Sequence, residues 1–295
     1  MTAQQAPSAL VGPPSTGRRL WAQLRLSVPF YLGLGAPSTR RAYPRYRIQV
    51  AAGYTADLMR RVVALYRGDV PAAADRVEEV NFRSASVTLA ESGERFFVKQ
   101  FPRRHHLHDV EHILRCSRAR RAWRAAHLLP RCNILTPRPV GIALARADGG
   151  APVEYLATEW LDRATPYHVR LRAADREASR PRLLREFALH MRRWNDRGVY
   201  LRDLVTNVLT RDLPGGMEYW LTDLDQFHPL RRLTRRRLLH QMAQFARWSG
   251  PLSTEETREI ATSYLGVSSH GAMHSIEHVL LTTPPADEIR ASVSS

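Results

Sequence analysis

The sequence contains a single lysine, Lys99, although lysine and arginine together account for 44 of its 295 residues. Because arginine fills every other basic position, Lys99 is the first residue to explain, and chance in an arginine-rich chain is the simple alternative. Lysine offers a compact charge with rotatable donors, whereas arginine offers a planar fork. Cysteine is also scarce. Cys116 and Cys132 are too few for a disulfide scaffold and lack the spacing of a metal site, so a reducing cytoplasm fits best.

Long hydrophobic runs are missing as well. No stretch of eighteen or more apolar residues occurs, so no membrane-spanning helix is predicted. The N-terminus has no basic segment followed by an apolar one, which argues against a secretory signal. We interpret residues 1–37 as a disordered tail followed by a peripheral segment. With 44% hydrophobic and 24% charged residues, the rest has a globular composition, which excludes collagen and coiled-coil classes.

Hydrophobic periodicity indicates an α+β organisation. Alternation predicts a strand over Val77–Ala90 and a second over Arg95–Phe101, which carries Lys99. A helix is expected over about Val110–Leu129, ended by Pro130, before another strand pair. Further helices are predicted over residues 181–196, 235–249 and 254–265. The first half is therefore expected to form a mostly antiparallel sheet with one helix, and the second half to be mainly helical.

Three motifs follow one another in an order that suits phosphoryl transfer. Lys99 ends a strand motif, Asp203 lies in a loop after a helix, and Asp223 leaves a later strand. Transfer from ATP needs a lysine on the phosphates and an aspartate that accepts the proton of the attacking hydroxyl. It also needs oxygen ligands for magnesium. The ordered set is more specific than any one member, since Asp and Asn are common in turns.

On these motifs the sequence resembles the lipopolysaccharide kinase family, the heptose and Kdo kinases of the protein-kinase-like superfamily. The resemblance covers roughly residues 83–266. The matching phrases are Phe97-Val98-Lys99, Arg120-Arg121-Ala122-Trp123-Arg124-Ala125, Thr136-Pro137-Arg138-Pro139, Arg202-Asp203-Leu204 and Thr222-Asp223-Leu224. It implies a two-lobed kinase-like fold. The expected division is an N-terminal lobe over 38–161, a C-terminal lobe over 162–267 and an extension over 268–295.

The resemblance also implies ATP and Mg²⁺ as cofactors and a role for each motif residue. Lys99 would bind the ATP phosphates and Asp203 would be the catalytic base. Asn207 and Asp223 would bind magnesium. The segment Glu159-Trp160-Leu161 would be the hinge, where the backbone of Glu159 and Leu161 holds the adenine.

Several positions depart from the family pattern. Ala122 stands where family members tend to place the glutamate that pairs with the strand lysine, and Glu111 is a possible substitute. Asn207 follows Asp203 by four positions, where the kinase pattern has five. The segment where a glycine-rich phosphate loop would lie contains no glycine. These departures keep open a weak or inactive pseudokinase that acts as a basic binding or regulatory module.

The chain after Asp223 is short and contains no Ala-Pro-Glu motif, which argues against a peptide-binding platform. A sugar hydroxyl of the lipopolysaccharide inner core, heptose or Kdo, is the expected acceptor, with another acceptor as an alternative. The net charge of +16 would favour the anionic cytoplasmic face of the inner membrane. Nucleic acid is a less favoured partner, because no RNA- or DNA-binding motif is present.

Two arginine clusters could bind anions. The first follows the predicted helix from Arg115 to Arg124, where a solvated helix face is the simpler explanation. The second, Arg231 to Arg237, lies close to Asp223 in sequence and is the better candidate for the acceptor or membrane. Its candidate anion-binding residues are Arg231, Arg232 and Arg235.

Overall fold

The structure is a computed structural model that describes residues 38–43, 45–70, 74–102, 117–145, 153–175, 178–201, 203–227, 234–265 and 270–284. The strands are β1 Ser38–Tyr43, β2 Tyr46–Ala51, β3 Arg76–Asn81, β4 Ser84–Thr88, β5 Arg95–Pro102, β6 Pro139–Ala145, β7 Val153–Glu159, β8 Thr165–Pro166, β9 Val208–Leu213 and β10 Gly216–Leu221. The helices are α1 Ala56–Arg67, α2 Arg118–Leu128, α3 Tyr167–Ala173, α4 Arg180–Asp196, α5 Arg235–Ser249, α6 Thr254–Leu265 and α7 His270–Thr282. Within these ranges, none of the helices has the length and apolar character needed to span a membrane. The N-terminal tail, Glu111, Arg231 and Arg232 lie outside the described residues.

The chain divides into two compact units. The sheet unit contains the described residues of 38–164 and 208–227, and the helical unit contains those of 165–207 and 234–284. The hairpin β9–β10 therefore groups with the sheet unit, although the sequence assigns residues 208–227 to the C-terminal lobe. The sequence-predicted extension contains α7, which packs against α5 and α6.

The sheet unit is built on seven antiparallel strands in the order β1-β2-β6-β7-β5-β4-β3. This confirms the antiparallel prediction. The single strand expected over Val77–Ala90 is instead two strands, β3 and β4. They are separated by a turn in which Asn81 Oδ1 accepts a hydrogen bond from the Arg83 N–H at 3.0 Å. An asparagine that bonds the backbone two residues on is typical of a turn.

Helix α1 covers one face of this sheet. Met59, Val62 and Val63 on α1 are fully buried against strand residues that include Val98. The close approach of α1 to β6 requires glycine at position 141, because a Cβ there would lie 3.0 Å from the Met59 Cγ. Hydrophobic periodicity over Ala56–Tyr66, with Thr55 as a possible cap, predicts this helix, and Thr55 does cap it. The lobe that was expected to contain one inserted helix therefore contains two described helices, α1 and α2.

Helix α2 packs against β6, β7 and the 3₁₀ turn Leu224–Gln226, which follows β10. Its buried face is built largely from alanines, among them Ala119 and Ala122, and small side chains allow a close approach. Successive strand residues point to opposite faces of a sheet. Lys99 therefore lies on the face opposite Val98 and its α1 core, which is the face that α2 occupies.

The helical unit packs around aromatic side chains. The rings of Tyr167 and Phe187 are stacked with centroids 4.1 Å apart, and Phe245 lies 5.1 Å from Phe187. Buried polar groups connect the helices as well. Asn195 on α4 donates to Gln241 Oε1 at 3.0 Å and to the Tyr264 hydroxyl at 2.8 Å. These bonds join α4, α5 and α6.

Candidate active site

Lys99 lies near the end of β5 and pairs in register with Ser84 of β4 and Leu156 of β7. Its side chain is 22% exposed, and its ammonium group lies 5.4 Å from the Phe101 ring. Pairing on both sides leaves the strand little freedom, so the backbone position of Lys99 is well defined. The sequence prediction that the single lysine lies on a strand of the hairpin is confirmed.

Lys99 forms an ion pair with Asp223. The backbone of Asp223 is left-handed, with φ 51° and ψ 49°, and the Leu221 N–H donates to the Leu135 carbonyl at 2.9 Å just before it. A positive φ is uncommon outside glycine, although Asp and Asn tolerate it better than most residues. Such conformations cluster at functional sites, where the surrounding structure maintains them. The structure thus brings together two of the residues that the sequence singles out.

A second carboxylate, Asp225, completes this cluster. Its side chain is fully buried, and one of its oxygens accepts from Arg118 at 2.5 Å. The other oxygen lies 3.8 Å from the Lys99 ammonium group. Arg121 Nε donates to the backbone carbonyl of Asp225 at 2.9 Å. Two cations of α2 and the lysine of β5 therefore meet at one buried aspartate.

The two carboxyl groups are electrostatically coupled. Burial raises the pKa of Asp225 above its usual range, and a hydrogen bond to Asp223 with its negative charge adds to this rise. Burial also acts to raise the pKa of Asp223, but the hydrogen bond from Asp225 and the charge of Lys99 outweigh it and lower that pKa. Asp223 is therefore the carboxylate that is held ionised beside Lys99.

The predicted catalytic loop lies in the helical unit. Asp203 is followed by the 3₁₀ turn Val205–Asn207, in which the Thr206 hydroxyl donates to the Asp203 carbonyl at 3.1 Å. The Asn207 N–H donates to the Leu204 carbonyl at 3.1 Å. A 3₁₀ helix is tighter than an α-helix, so it suits a loop that is one residue shorter than the kinase pattern. Asp203 is half-buried and Asn207 is buried.

Buried amides anchor this loop at its start. Gln241 is 1% exposed, and its Nε2 donates to the Leu201 carbonyl at 3.0 Å, two residues before Asp203. Its own oxygen accepts from Asn195. Hydrogen bonds between buried polar groups favour one arrangement of the backbone. The entry to the predicted catalytic loop is therefore positioned by helices α4 and α5.

The predicted hinge begins at Glu159, the last residue of β7. The backbone N–H of Glu159 donates to the Arg138 carbonyl at 2.9 Å, and that of Trp160 donates to the Arg95 carbonyl at 2.9 Å. The Glu159 side chain accepts from the Tyr54 hydroxyl and lies 3.5 Å from Arg138. Burial raises the pKa of the Tyr54 hydroxyl, and the Glu159 carboxylate raises it further. The glutamate side chain thus serves the packing of the hinge.

Two further positions that the sequence singles out, Arg235 and Ala122, lie within the described residues. Arg235 begins α5, and its guanidinium donates to the Ser275 hydroxyl at 2.7 Å. Ala122 lies on the buried face of α2 at 2% exposure, so this position brings no carboxylate to the site. Among the residues that the structure describes, no group of three His, Cys, Asp or Glu side chains is arranged to hold a metal ion.

The donor chemistry nevertheless suits a magnesium nucleotide. Magnesium prefers oxygen ligands and is often held by one or two carboxylates together with the phosphates of a substrate. Asp223 offers a carboxylate that is 31% exposed and held ionised. Lys99 supplies the point charge that phosphates require.

The sequence did not identify Asp225, Arg118 and Arg121 as members of this site. Arg118 and Arg121 belong to a basic stretch whose simplest interpretation was a solvated helix face. That interpretation holds for Arg120, which is exposed. The sequence signal that could have identified them is the spacing of three residues between Arg118 and Arg121. This spacing places both side chains on one side of α2, the side that also carries Ala122.

No functionally curated protein sequence matches this chain. Among solved structures it is similar to WaaP in complex with acyl carrier protein, at 18% identity and a TM-score of 0.49 over 77% of this chain and 96% of that one. It is also similar to the MAP kinase LmaMPK10 from Leishmania major, at 17% identity and a TM-score of 0.37 over 80% of this chain and 69% of that one.

The sequence profile of the lipopolysaccharide kinase (Kdo/WaaP) family matches residues 72–264, which is more than half of the chain. The matched region contains Lys99, Asp203 and Asp223, the three residues on which the resemblance depends. Together with the strand order and the mainly helical second unit, this match confirms the kinase-like α+β fold. The chain belongs to the lipopolysaccharide kinase (Kdo/WaaP) family.

Proposed function

We propose that this protein transfers the γ-phosphoryl group of ATP to a hydroxyl group of a lipopolysaccharide inner-core sugar, heptose or Kdo. The observation that carries the proposal is the ion pair between Lys99 and Asp223 in a chain of this family. A lysine and a magnesium aspartate are the two groups that hold the phosphates of a nucleotide in kinases. Their contact keeps both side chains at one place.

Each predicted residue has a distinct task in this mechanism. Lys99 would neutralise the α- and β-phosphates, and Asp223 with Asn207 would hold Mg²⁺, which when bound neutralises charge on the β- and γ-phosphates. Asp203 would orient the sugar hydroxyl and accept its proton. Since the N–H groups of Glu159 and Trp160 already donate to the carbonyls of Arg138 and Arg95, the adenine would use the Glu159 carbonyl and the Leu161 N–H.

The first turn of α5 supports an anionic acceptor. Arg235, Arg236 and Arg237 fill that turn, which contains no acidic residue. Cations at a helix N-terminus oppose the helix dipole, at a cost of about 0.3–1 kcal/mol each. Arg237 lies 5.7 Å from the ring of Tyr200, which is close in sequence to Asp203. The turn therefore carries three cations that the helix dipole disfavours, and binding of a phosphorylated sugar would give them a purpose beyond the contacts of Arg235 with Ser275 and of Arg237 with Tyr200.

The assay is magnesium-dependent ATP turnover by the purified full chain, with and without a lipid A–core acceptor. We expect Lys99→Ala and Asp203→Asn to lower kcat by about 10²–10⁴. Asp57→Asn is the matched control, since Asp57 forms only an exposed pair with Arg60 at 3.7 Å and a bond from Tyr43. Turnover that needs the acceptor and both residues supports the proposal.

The opposite result distinguishes the alternatives. If the chain binds no nucleotide and shows no turnover, the proposal fails, and Ala122 with the short catalytic loop indicates a pseudokinase that acts as a basic binding module. Turnover that is stimulated by a different acceptor, and not by the lipid A–core, would retain the kinase chemistry and reject the sugar.

We also propose that the protein is cytoplasmic and acts at the cytoplasmic face of the inner membrane. A net charge of +16 favours an anionic surface, where each basic residue contributes on the order of 1 kcal/mol. Co-sedimentation with phosphatidylglycerol vesicles at low salt, compared with neutral phosphatidylcholine vesicles, tests this. Equal binding to both vesicle types would contradict an electrostatic attachment.

A further inference from the structure

Helix α2 contributes positive charge to the proposed active site, where a negatively charged glutamate is expected. In kinases the strand lysine pairs with a glutamate of the helix that packs beside it, and the pair must form for activity. Here Ala122 provides no carboxylate, and the side chains that α2 directs at this cluster are Arg118 and Arg121. A direct pair between Lys99 and these arginines is impossible because all three are cations.

The carboxylate that Lys99 requires comes from the loop after β10. Asp225 has one side-chain oxygen on Arg118 at 2.5 Å and the other 3.8 Å from Lys99. Its backbone carbonyl accepts from Arg121 at 2.9 Å. Asp225 is therefore held through both its side chain and its main chain by the helix, while it faces the lysine.

We propose that Asp225 takes the place of the missing helix glutamate as a positioning residue, and that its carboxylate links Lys99 of β5 to Arg118 of α2. Through Asp225, helix α2 would then fix the positions of both Lys99 and Asp223. This inference rests on the proposed function, because it assigns a purpose to the cluster that would bind the magnesium nucleotide.

Burial explains why this arrangement is specific. A fully buried carboxylate is costly unless it is paired and hydrogen-bonded. Asp225 is 0% exposed; Arg118 donates to one carboxylate oxygen, and the charge of Lys99 lies 3.8 Å from the other, which compensates part of that cost. Asp223 two residues earlier adopts a left-handed backbone, which has to be maintained by its surroundings. Anchoring Asp225 at both its side chain and its carbonyl fixes the backbone immediately after that residue.

The test uses the full chain and two variants of α2. Arg118→Gln combined with Arg121→Gln removes the helix contacts of Asp225 but leaves Lys99, Asp223 and Asp225 intact. Arg120→Gln is the matched control, because Arg120 is an exposed arginine of the same helix. Circular dichroism and the melting temperature establish that each variant is folded.

The first measurement is hydrogen exchange of the segment 222–227 in the nucleotide-free protein. We expect exchange in the double variant to be about tenfold faster than in the wild type, while exchange in the Arg120→Gln variant is unchanged. Unchanged exchange in the double variant overturns the proposal, whether or not the protein is a kinase. This readout is therefore independent of the proposed function.

The second measurement separates positioning from general stability. We expect the double variant to need about five- to twentyfold more Mg²⁺ for half-maximal nucleotide binding, with a lower kcat as well. Arg118→Lys, which keeps the charge, should recover part of this loss. Faster exchange without any change in magnesium dependence would also overturn the proposal, because the link would then be purely structural. Absence of nucleotide binding by the wild type would instead reject the proposed function.

Discussion

Acidification should destabilise the sheet unit through a single histidine of helix α2. His127 lies edge-on to the ring of Trp123, with centroids 4.5 Å apart. Burial lowers the pKa of His127 from 6.5 to about 4, and the nearby charge of Arg131 adds to the effect. The folded protein therefore keeps this imidazole neutral at pH values where the unfolded chain has already protonated it.

The sign and size of the effect follow from proton linkage. A folded-state pKa below the unfolded value means that the stability is complete above about pH 6.5 and is lost as the pH falls toward 4. Each pH unit in that window corresponds to about 1.4 kcal/mol. At pH 5 the free energy of unfolding of the wild type should be about 2 kcal/mol lower than at pH 7 because of His127. Where solvent screening weakens the pKa shift of His127, the loss is about 1 kcal/mol. The corresponding fall in Tm is about 2–6 °C.

The measurement is the melting temperature between pH 7 and pH 5 for the wild type and for His127→Phe, which keeps a ring beside Trp123. The variant should lose this part of the pH dependence, whereas His278→Gln, at an exposed histidine of α7, should not. Burial also lowers the pKa of His190 to about 4, so some dependence should remain. An unchanged pH dependence in His127→Phe would show that the imidazole is not buried as described.

Two further substitutions test the packing of each unit. Gly141→Ala should lower the free energy of unfolding by about 1–3 kcal/mol in urea denaturation, because its Cβ would meet Met59 at 3.0 Å. Gly216→Ala has open space around the new Cβ and is its control; equal effects would contradict the close helix approach. Asn195→Leu should lower the free energy of unfolding by about 2–4 kcal/mol, because it leaves the buried Gln241 side-chain oxygen without its hydrogen-bond donor. If its unfolding free energy matches that of the wild type, the amide network does not stabilise the helical unit.

The sequence was sufficient for the residues whose chemistry is local. Lys99 could be placed on a strand because alternation continues through Phe97 and Val98, and the single lysine drew attention to it. Motif order predicts Asp203 and Asp223 as site residues, and the structure places Asp223 beside Lys99. The break between β3 and β4 was missed because Asn81 sits inside an alternating pattern, and only its hydrogen bond to the Arg83 N–H shows the turn.

The role of Asp225 could not be predicted, for a physical reason. Its three cationic neighbours come from positions 99, 118 and 121, and only tertiary packing brings them to one carboxylate. An arginine on a helix has the same sequence signature whether it is solvated or paired. The α1 and α2 helices show the same limit, since periodicity predicts a buried face without showing which side of the sheet receives it.

The division of labour between lysine and arginine at this cluster follows from their geometry. Arg118 and Arg121 each use Nε to make a directed bond, one to a carboxylate oxygen and one to a main-chain carbonyl. A planar guanidinium can hold such a bond in a fixed direction, whereas an ammonium group is a compact charge that several oxygens can share. Lys99 faces two carboxylates, and in the proposed mechanism it must also accept phosphate oxygens. A chain that uses arginine at every other basic position therefore retains lysine where a shared point charge is needed, and arginine where the loop has to be held in place.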